Sequence, residues 1–178
     1  FFPENGGGVG RSLSRTSDGG VMVGASTQAD QVELDTIPGN ISVDADTPFV
    51  IALNAQNQAR YVAAIEGASA EEIAVAVSGD RVAVTGYYSG EAGLPSSCKL
   101  AEPAADDIFA ILLDNADGSL FWQQRFGASL NDRGVAVDAN ATGLVFAGTF
   151  SGAVSFGQQT LDATGGTDAF IARVTPAR

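Results

Sequence analysis

The chain repeats one block of sequence three times, with copies about sixty residues apart. A short apolar run ends in a glycine in each copy, with steps of 86−24 = 62 and 148−86 = 62 residues: Gly24, Gly86 and Gly148. A phenylalanine inside a second apolar run recurs with steps of 109−49 = 60 and 170−109 = 61 residues: Phe49, Phe109 and Phe170. Two markers that keep their spacing predict one supersecondary unit used three times. We therefore divide the single segment 1–178 into approximate repeats 1–46, 47–106 and 107–178.

Each repeat breaks into four short apolar stretches separated by turns rich in Asn, Asp and Gly. In the third repeat the stretches are 108–113, 120–126, 134–138 and 144–150. Their length and their β-branched and aromatic residues favour strands, and the turns have hairpin length. The stretch 108–113 is apolar at every position, which is typical of a strand covered on both faces. The sequence thus predicts an all-β fold of about three four-stranded antiparallel blades, packed face to face as in a β-propeller.

The repeat spacing also predicts which strands these residues lack. The strand equivalent to 120–126 would begin near residue 120+61 = 181 in the third repeat, and its counterpart before the first repeat would end at Phe2. Three blades cannot close a ring. We therefore expect an incomplete ring or part of a larger propeller, completed by further blades or by another protein chain.

Charge and composition exclude several classes of function. The chain has 9 Lys and Arg against 21 Asp and Glu, a formal net charge of −12. Such a surface repels nucleic acid and anionic membranes, and no apolar run approaches the ~20 residues needed for membrane insertion. The chain has no histidine, which excludes Ser-His-Asp and Cys-His catalysis and imidazole-ligated metals. The single Cys98 cannot form a disulfide within the chain.

The third copy carries a longer pattern, which the second copy follows in part. It reads Asp107-x-Phe109-x-x-x-Leu113-Asp114-x-x-x-Gly118-x-x-x-Trp122-x-x-x-Phe126-Gly127-x-x-x-x-Asp132-x-Gly134-x-Ala136-Val137-Asp138, and continues through Gly148-x-Phe150-Ser151-Gly152. This pattern resembles the bacterial beta-propeller repeat family often abbreviated SBBP. The resemblance is closest over 107–176, weaker over 47–106 and weakest over 1–46. It implies blades of a secreted or cell-surface bacterial protein and assigns no chemistry.

One turn has the beginning of a calcium-loop pattern. Asp138, Asn140 and Thr142 place oxygen ligands at alternate positions, and Gly143 follows. Ser14, Thr16 and Asp18 sit in the same frame in the first copy. No bidentate carboxylate follows at the expected distance, and a plain hairpin turn also explains these residues. The sequence predicts no cofactor, and calcium at this turn is the alternative that it leaves open.

Three further residues are candidates for a ligand surface. Tyr87 and Tyr88 are consecutive on a predicted strand and point to opposite faces, so we expect one ring to be exposed and able to stack on a sugar. Asp132 lies in a loop between strands and could line one face of the ring. An Asp in such a loop more commonly accepts backbone N–H groups and fixes a turn.

These observations predict a non-catalytic binding or scaffold module, with a protein or a glycan as its partner. Two alternatives remain open. One is a carbohydrate-active propeller enzyme, a lyase or hydrolase that uses carboxylates. The other is a purely architectural subunit of a surface assembly.

Overall fold

A computed structural model of the chain describes residues 8–27, 31–33, 42–44, 46–66, 72–94, 99–140 and 143–176. Every regular element in these ranges is a β-strand. The strands are β1 (Gly8–Arg15), β2 (Val21–Thr27), β3 (Gln31–Glu33), β4 (Ser42–Asp44), β5 (Pro48–Leu53), β6 (Ala59–Ala64), β7 (Ile73–Ser78), β8 (Arg81–Tyr88), β9 (Asp107–Asp114), β10 (Leu120–Phe126), β11 (Arg133–Asn140), β12 (Gly143–Phe156) and β13 (Gln159–Val174). The described residues contain no helix with the length and hydropathy of a membrane span.

The strands form three antiparallel sheets and one small ribbon. The first sheet has the order β1-β2-β5-β6, the second β7-β8-β9-β10 and the third β11-β12-β13, while β3 and β4 pair with each other. The predicted all-β, antiparallel organisation is confirmed. Each predicted repeat limit falls in the middle of a sheet, between β4 and β5 and between β8 and β9. The described residues do not form a closed ring.

The two sequence markers face each other across neighbouring strands. Phe109 pairs with Gly86 in the second sheet, and Phe170 pairs with Gly148 in the third. A Cβ on Gly86 would lie 2.7 Å from Phe109 Cζ, and one on Gly148 would lie 2.9 Å from Phe170 Cε1. A backbone carbonyl of the adjacent chain lies closer still at each position, that of Glu72 at Gly86 and that of Arg133 at Gly148. The glycine is therefore needed because both the carbonyl and the phenylalanine ring occupy the space beside it.

In the first sheet this correspondence is shifted by one residue. Phe49 pairs with Ala25, whereas Gly24 pairs with Val50. A shift of one residue moves a side chain to the other face of a sheet. Position 24 thus points at the second sheet, where a Cβ would lie 3.0 Å from Val75 Cγ1. The sequence equivalence of Gly24 with Gly86 and Gly148 was wrong by one residue, and Ala25 takes that place.

The three sheets stack in one direction. We call the face of a sheet that points to the next sheet along the chain its forward face, and the opposite face its backward face. The forward face of the first sheet buries Val50 and Ala52 in one core with Phe109 and Ile111 of the second. The forward face of the second sheet buries its residues in another core with the third, which contains Ala110, Leu112, Phe146 and Phe170. Each contact between sheets therefore joins a forward face to a backward face.

Strands β1, β7 and β11 are edge strands that lie next to one another in this stack. β7 contacts β1 on one side and β11 on the other. Ser12 Oγ accepts a hydrogen bond from the Val75 N–H at 2.9 Å, and Ser14 Oγ accepts one from the Val77 N–H at 3.1 Å. Two serine hydroxyls of the first sheet thus satisfy edge N–H groups of the second that would otherwise need another partner.

Aromatic rings join the outer parts of the second and third sheets. Phe126 of β10 lies 5.2 Å, centroid to centroid, from both Phe146 and Phe156 of β12. Phe156 in turn lies 4.9 Å from Phe170 of β13. Rings at such separations contribute attraction beyond the area that they bury. This cluster ties three strands of two sheets together.

The close approach of the Glu72 carbonyl and of the Phe109 ring to Gly86 can be tested by a single methyl group. We expect Gly86→Ala to lower the free energy of unfolding by about 1–3 kcal/mol, because the added carbon overpacks a buried site. Urea denaturation followed by circular dichroism measures the change. Gly10→Ala is the matched control, since a Cβ there would have no atom within 4 Å. Equal stability of the two variants would contradict this account of the repeat.

Candidate functional site

A buried carboxylate lies where β8, β9 and β10 meet on the backward face of the second sheet. Asp107 begins β9 opposite Tyr88, and its side chain is fully buried. Arg125 of β10 faces the same side, and its Nη1 lies 3.2 Å from Asp107 Oδ2. This pair has the distance of an ion pair without the geometry of a hydrogen bond, and neither oxygen of Asp107 has a hydrogen-bond partner among the described residues. The Asp107 carboxylate is thus held by its electrostatic attraction to Arg125 and not by a hydrogen bond.

Burial displaces the protonation equilibrium of this carboxyl. Desolvation raises the pKa of Asp107 from 3.8 to about 6, although the Arg125 charge acts in the opposite direction. The nearby carboxylates of Asp132 and Asp106 add to the rise. Asp107 is therefore an acid that titrates close to neutral pH.

Asp106, the neighbouring carboxylate, has its own arginine. Arg133 Nη2 lies 2.7 Å from Asp106 Oδ2, and the Arg133 guanidinium stacks 4.3 Å from the centroid of the Tyr87 ring. The hydrogen bond to Asp106 raises the pKa of Arg133 above its ordinary value. The consecutive acids thus serve two separate ion pairs.

Asp132 is also fully buried and organises the loop between β10 and β11. Its carboxylate accepts the Ala128 N–H at 3.1 Å and the Ser151 N–H at 3.0 Å, while its own N–H donates to the Asp106 carbonyl at 2.7 Å. Burial raises the pKa of Asp132, and the two hydrogen bonds from the backbone oppose that rise. The turn-fixing interpretation is confirmed, and a ligand-binding role stays a prediction.

Tyr87 and Tyr88 are both buried, so the expectation that one ring would be exposed was wrong. Tyr88 has no exposed surface, and its hydroxyl donates to the Ala101 carbonyl at 2.7 Å. Desolvation raises the pKa of Tyr88 to about 12. Alternation along β8 does send the two rings to opposite faces. The segment around Ala101 contacts Tyr88, and the guanidinium of Arg133 stacks on the Tyr87 ring.

Two of the three predicted calcium ligands, Asp138 and Asn140, lie in β11. Asp138 Oδ1 accepts the Ala139 N–H at 2.8 Å, and Asn140 pairs with Gly143. Thr142 lies outside the described residues. Within the described ranges no three acidic or cysteine side chains come close enough to hold a metal ion. Calcium binding at this turn stays a prediction.

The turn of the first copy that contains Thr16 and Asp18 is held by hydrogen bonds and an ion pair within the protein. Asp18 accepts hydrogen bonds from the Thr16 hydroxyl and from the Gly20 N–H, the latter at 3.3 Å. Arg60 Nη1 lies 3.2 Å from Asp18, and Arg60 also donates to the Asn115 carbonyl of the β9–β10 turn. The guanidinium therefore links the turns of the first and second sheets.

The repeat pattern does not identify two arginines of the structure: Arg125, which faces the buried Asp107, and Arg60, which links Asp18 to the Asn115 carbonyl. Arg125 and Arg60 stand at positions that the repeat fills with other residue types, so the shared pattern carries no sign of them. Asp107 did carry a sign, because it precedes its phenylalanine by two residues, as Asp168 does. Asp168 instead accepts the Thr164 N–H at 2.8 Å and is not fully buried. The buried ion pair thus belongs to the second sheet, not to the repeat.

A scan of the chain against models of known protein families finds no match, and a search of curated proteins finds none either. The resemblance to the bacterial beta-propeller repeat therefore stays a prediction.

The displaced pKa of Asp107 predicts a specific pH dependence of stability. Its pKa is higher in the folded state than in the unfolded state, so this group's contribution to stability decreases as the pH rises between the two values. Relative to Asp107→Asn, we expect the wild type to lose on the order of 2–3 kcal/mol between about pH 4 and about pH 6. Urea titrations of both proteins across this range measure the difference.

Asp117→Asn is the control with the opposite sign. Hydrogen bonds from Ser119 lower the pKa of Asp117, so its contribution is present above the unfolded pKa and lost as the pH falls. A flat difference curve for Asp107→Asn would show that this carboxyl is not desolvated in solution.

Removal of the Asp132 carboxylate should leave two backbone donors without their acceptor. We expect Asp132→Ala to cost about 1–3 kcal/mol of folding free energy. Asp138→Ala is the comparison, since Asp138 is exposed, and should change stability by no more than about 0.5 kcal/mol. Equal and small effects in thermal or urea unfolding would contradict the loop-fixing role.

Proposed function

We propose that this chain is a non-catalytic scaffold or binding module of a secreted or cell-surface bacterial protein, and that its three sheets are successive β-propeller blades. The observation that carries the proposal is the stacking of forward faces on backward faces, with β1, β7 and β11 side by side. Propeller blades pack in this manner, with the first strand of each blade towards a common axis. The third sheet has three strands among the described residues, one fewer than each of the other two.

The environment of the two buried carboxylates supports a structural role. Asp107 and Asp132 have no exposed surface, so a substrate cannot approach either oxygen pair without rearrangement of the sheets. Asp107 faces Arg125, and Asp132 accepts two backbone N–H groups. Groups with these partners orient strands and loops, and they need no further function to account for them.

One observation favours the enzymatic alternative. Two carboxyls with raised pKa values interact electrostatically, as Asp107 and Asp132 do, and such pairs are frequent in catalytic sites. A polysaccharide lyase or hydrolase would need these acids at a surface that a sugar chain can reach. Their complete burial favours the scaffold over the enzyme.

The two functions can be separated by activity and binding measured on the same samples. The chain is incubated with a panel of neutral and acidic polysaccharides, and new reducing ends and unsaturated products are followed over time. We expect no release above that of an Asp107→Asn, Asp132→Asn double variant, whether or not a polysaccharide binds in a pull-down. Depolymerisation that disappears in the folded double variant would overturn the scaffold proposal.

A further inference from the structure

The segment that leads into β9 lies over the buried beginning of that strand, and we call its residues 99–106 the strap. Leu100 packs into the core between the first and second sheets, and its N–H donates to the Ala92 carbonyl. At the other end of the strap, Arg133 Nη2 lies 2.7 Å from Asp106 Oδ2. Contacts with the rest of the protein thus fix the strap at both ends.

Two side chains of the second sheet hold the middle of the strap. The Tyr88 hydroxyl donates to the Ala101 carbonyl at 2.7 Å, and Arg125 Nη1 donates to the Glu102 carbonyl at 3.4 Å. Within the described ranges, no hydrogen bond between backbone groups joins residues 101–105 to another segment. The position of the middle of the strap therefore depends on Tyr88 and Arg125.

The same two side chains face Asp107. Asp107 lies opposite Tyr88 in the pairing of β8 with β9, and its Oδ2 lies 3.2 Å from the Arg125 nitrogen that also donates to Glu102. The Arg125 side chain is 34% exposed, whereas that of Asp107 has no exposed surface. Arg125 thus lies between the buried carboxylate and the strap, and one nitrogen atom contacts both.

The charged and titratable groups around Asp107 leave its ionised form poorly compensated. Arg125 of β10 attracts it, while Asp106 of the strap and Asp132 of the β10–β11 loop repel it. Tyr88 of β8 is neutral, because desolvation raises its pKa to about 12. Neither oxygen of Asp107 accepts a hydrogen bond from the described residues. An ionised carboxylate in this position regains its lost hydration only if water reaches it.

Two segments cover the Asp107 carboxylate, and they differ in how firmly they are held. Gly127 lies beside Oδ1, so close that a Cβ there would overlap it, and the strap with Arg125 lies beside Oδ2. The loop that begins at Gly127 is fixed by Asp132, which accepts two backbone N–H groups. The middle of the strap has only its two side-chain donors. Water therefore reaches the carboxylate most readily by displacement of the strap.

We propose that the strap is a proton-controlled cover, which protonation of Asp107 keeps closed over Arg125 and Tyr88 and which ionisation of Asp107 releases. The sign follows from linkage. The pKa of Asp107 is about 6 beneath the closed strap and approaches the ordinary 3.8 once water reaches the carboxylate. The equilibrium for opening therefore increases as the pH rises between these values, by on the order of 100-fold, and is constant above them.

The single lysine of the chain makes the opening measurable. Lys99 is exposed and Leu100 after it is buried, so lysyl endopeptidase can cut between them only when the strap opens. At about pH 7.5 we expect the wild type to be cut at least ~10-fold faster than Asp107→Asn, whose uncharged amide stands in for the protonated acid. Glu102→Gln removes an exposed carboxylate of the strap and should be cut at the wild-type rate. Cleavage of Asp107→Asn at the wild-type rate or faster would overturn the proposal.

Urea separates release of the strap from unfolding of the whole chain. Local opening exposes little surface, so the cleavage rate should change little up to about 1 M urea, whereas a rate set by global unfolding rises steeply. A steep rise in the wild type would show that Asp107 acts on the whole fold, and the strap inference would fail.

Hydrogen exchange provides a test that needs no variant. The Leu100 N–H, which donates to the Ala92 carbonyl, reports directly on the strap. After correction for the intrinsic pH dependence of exchange, its opening equilibrium should increase between about pH 4 and about pH 6 and then level off. A corrected profile that is flat or falls with pH would contradict proton control of the strap.

Discussion

The second sheet has two apolar faces, and each of them needs a neighbour. Every side chain of β9 from Asp107 to Leu113 is buried, and alternate residues belong to different cores: Phe109 and Ile111 pack towards the first sheet, and Ala110 and Leu112 towards the third. A strand of this kind cannot be stable at a surface, because either exposed face would lose the free energy of burial of several large side chains. The stack of three sheets follows from this requirement, and the small residues beneath the phenylalanine rings allow the sheets to approach.

Two carboxylates among the described residues are fully buried, and Asp107 is the one that faces an arginine. The Asp107–Arg125 pair lies on the face that packs against the first sheet, where apolar residues alone would have sufficed. A buried ion pair gains little net free energy, since the desolvation of both ions offsets their attraction. The pair instead fixes the orientation of β9 and β10. Either charged side chain without the other would cost far more folding free energy in that core than the pair does. The hydrogen bonds of Asp132 and the contacts of Arg60 likewise fix the positions of neighbouring sheets relative to each other.

The two ends of the stack differ, and the difference has consequences for assembly. The ribbon that carries Val43 covers the core around Phe49, whereas Ile171 at the other end is 80% exposed and no sheet of the described residues lies against it. A stack closed at one end and open at the other can add a sheet in one direction only.

The sequence by itself determined the all-β class and the antiparallel strands, because these follow from local spacing and residue type. Only the tertiary structure decided that Phe49 pairs with Ala25 and not with Gly24, that Tyr87 and Tyr88 are both covered, and that Asp107 meets Arg125. Those outcomes depend on strand register and on which neighbouring segment covers each face. Both are contacts between residues far apart in the chain, and a pattern read along one strand carries no information about them.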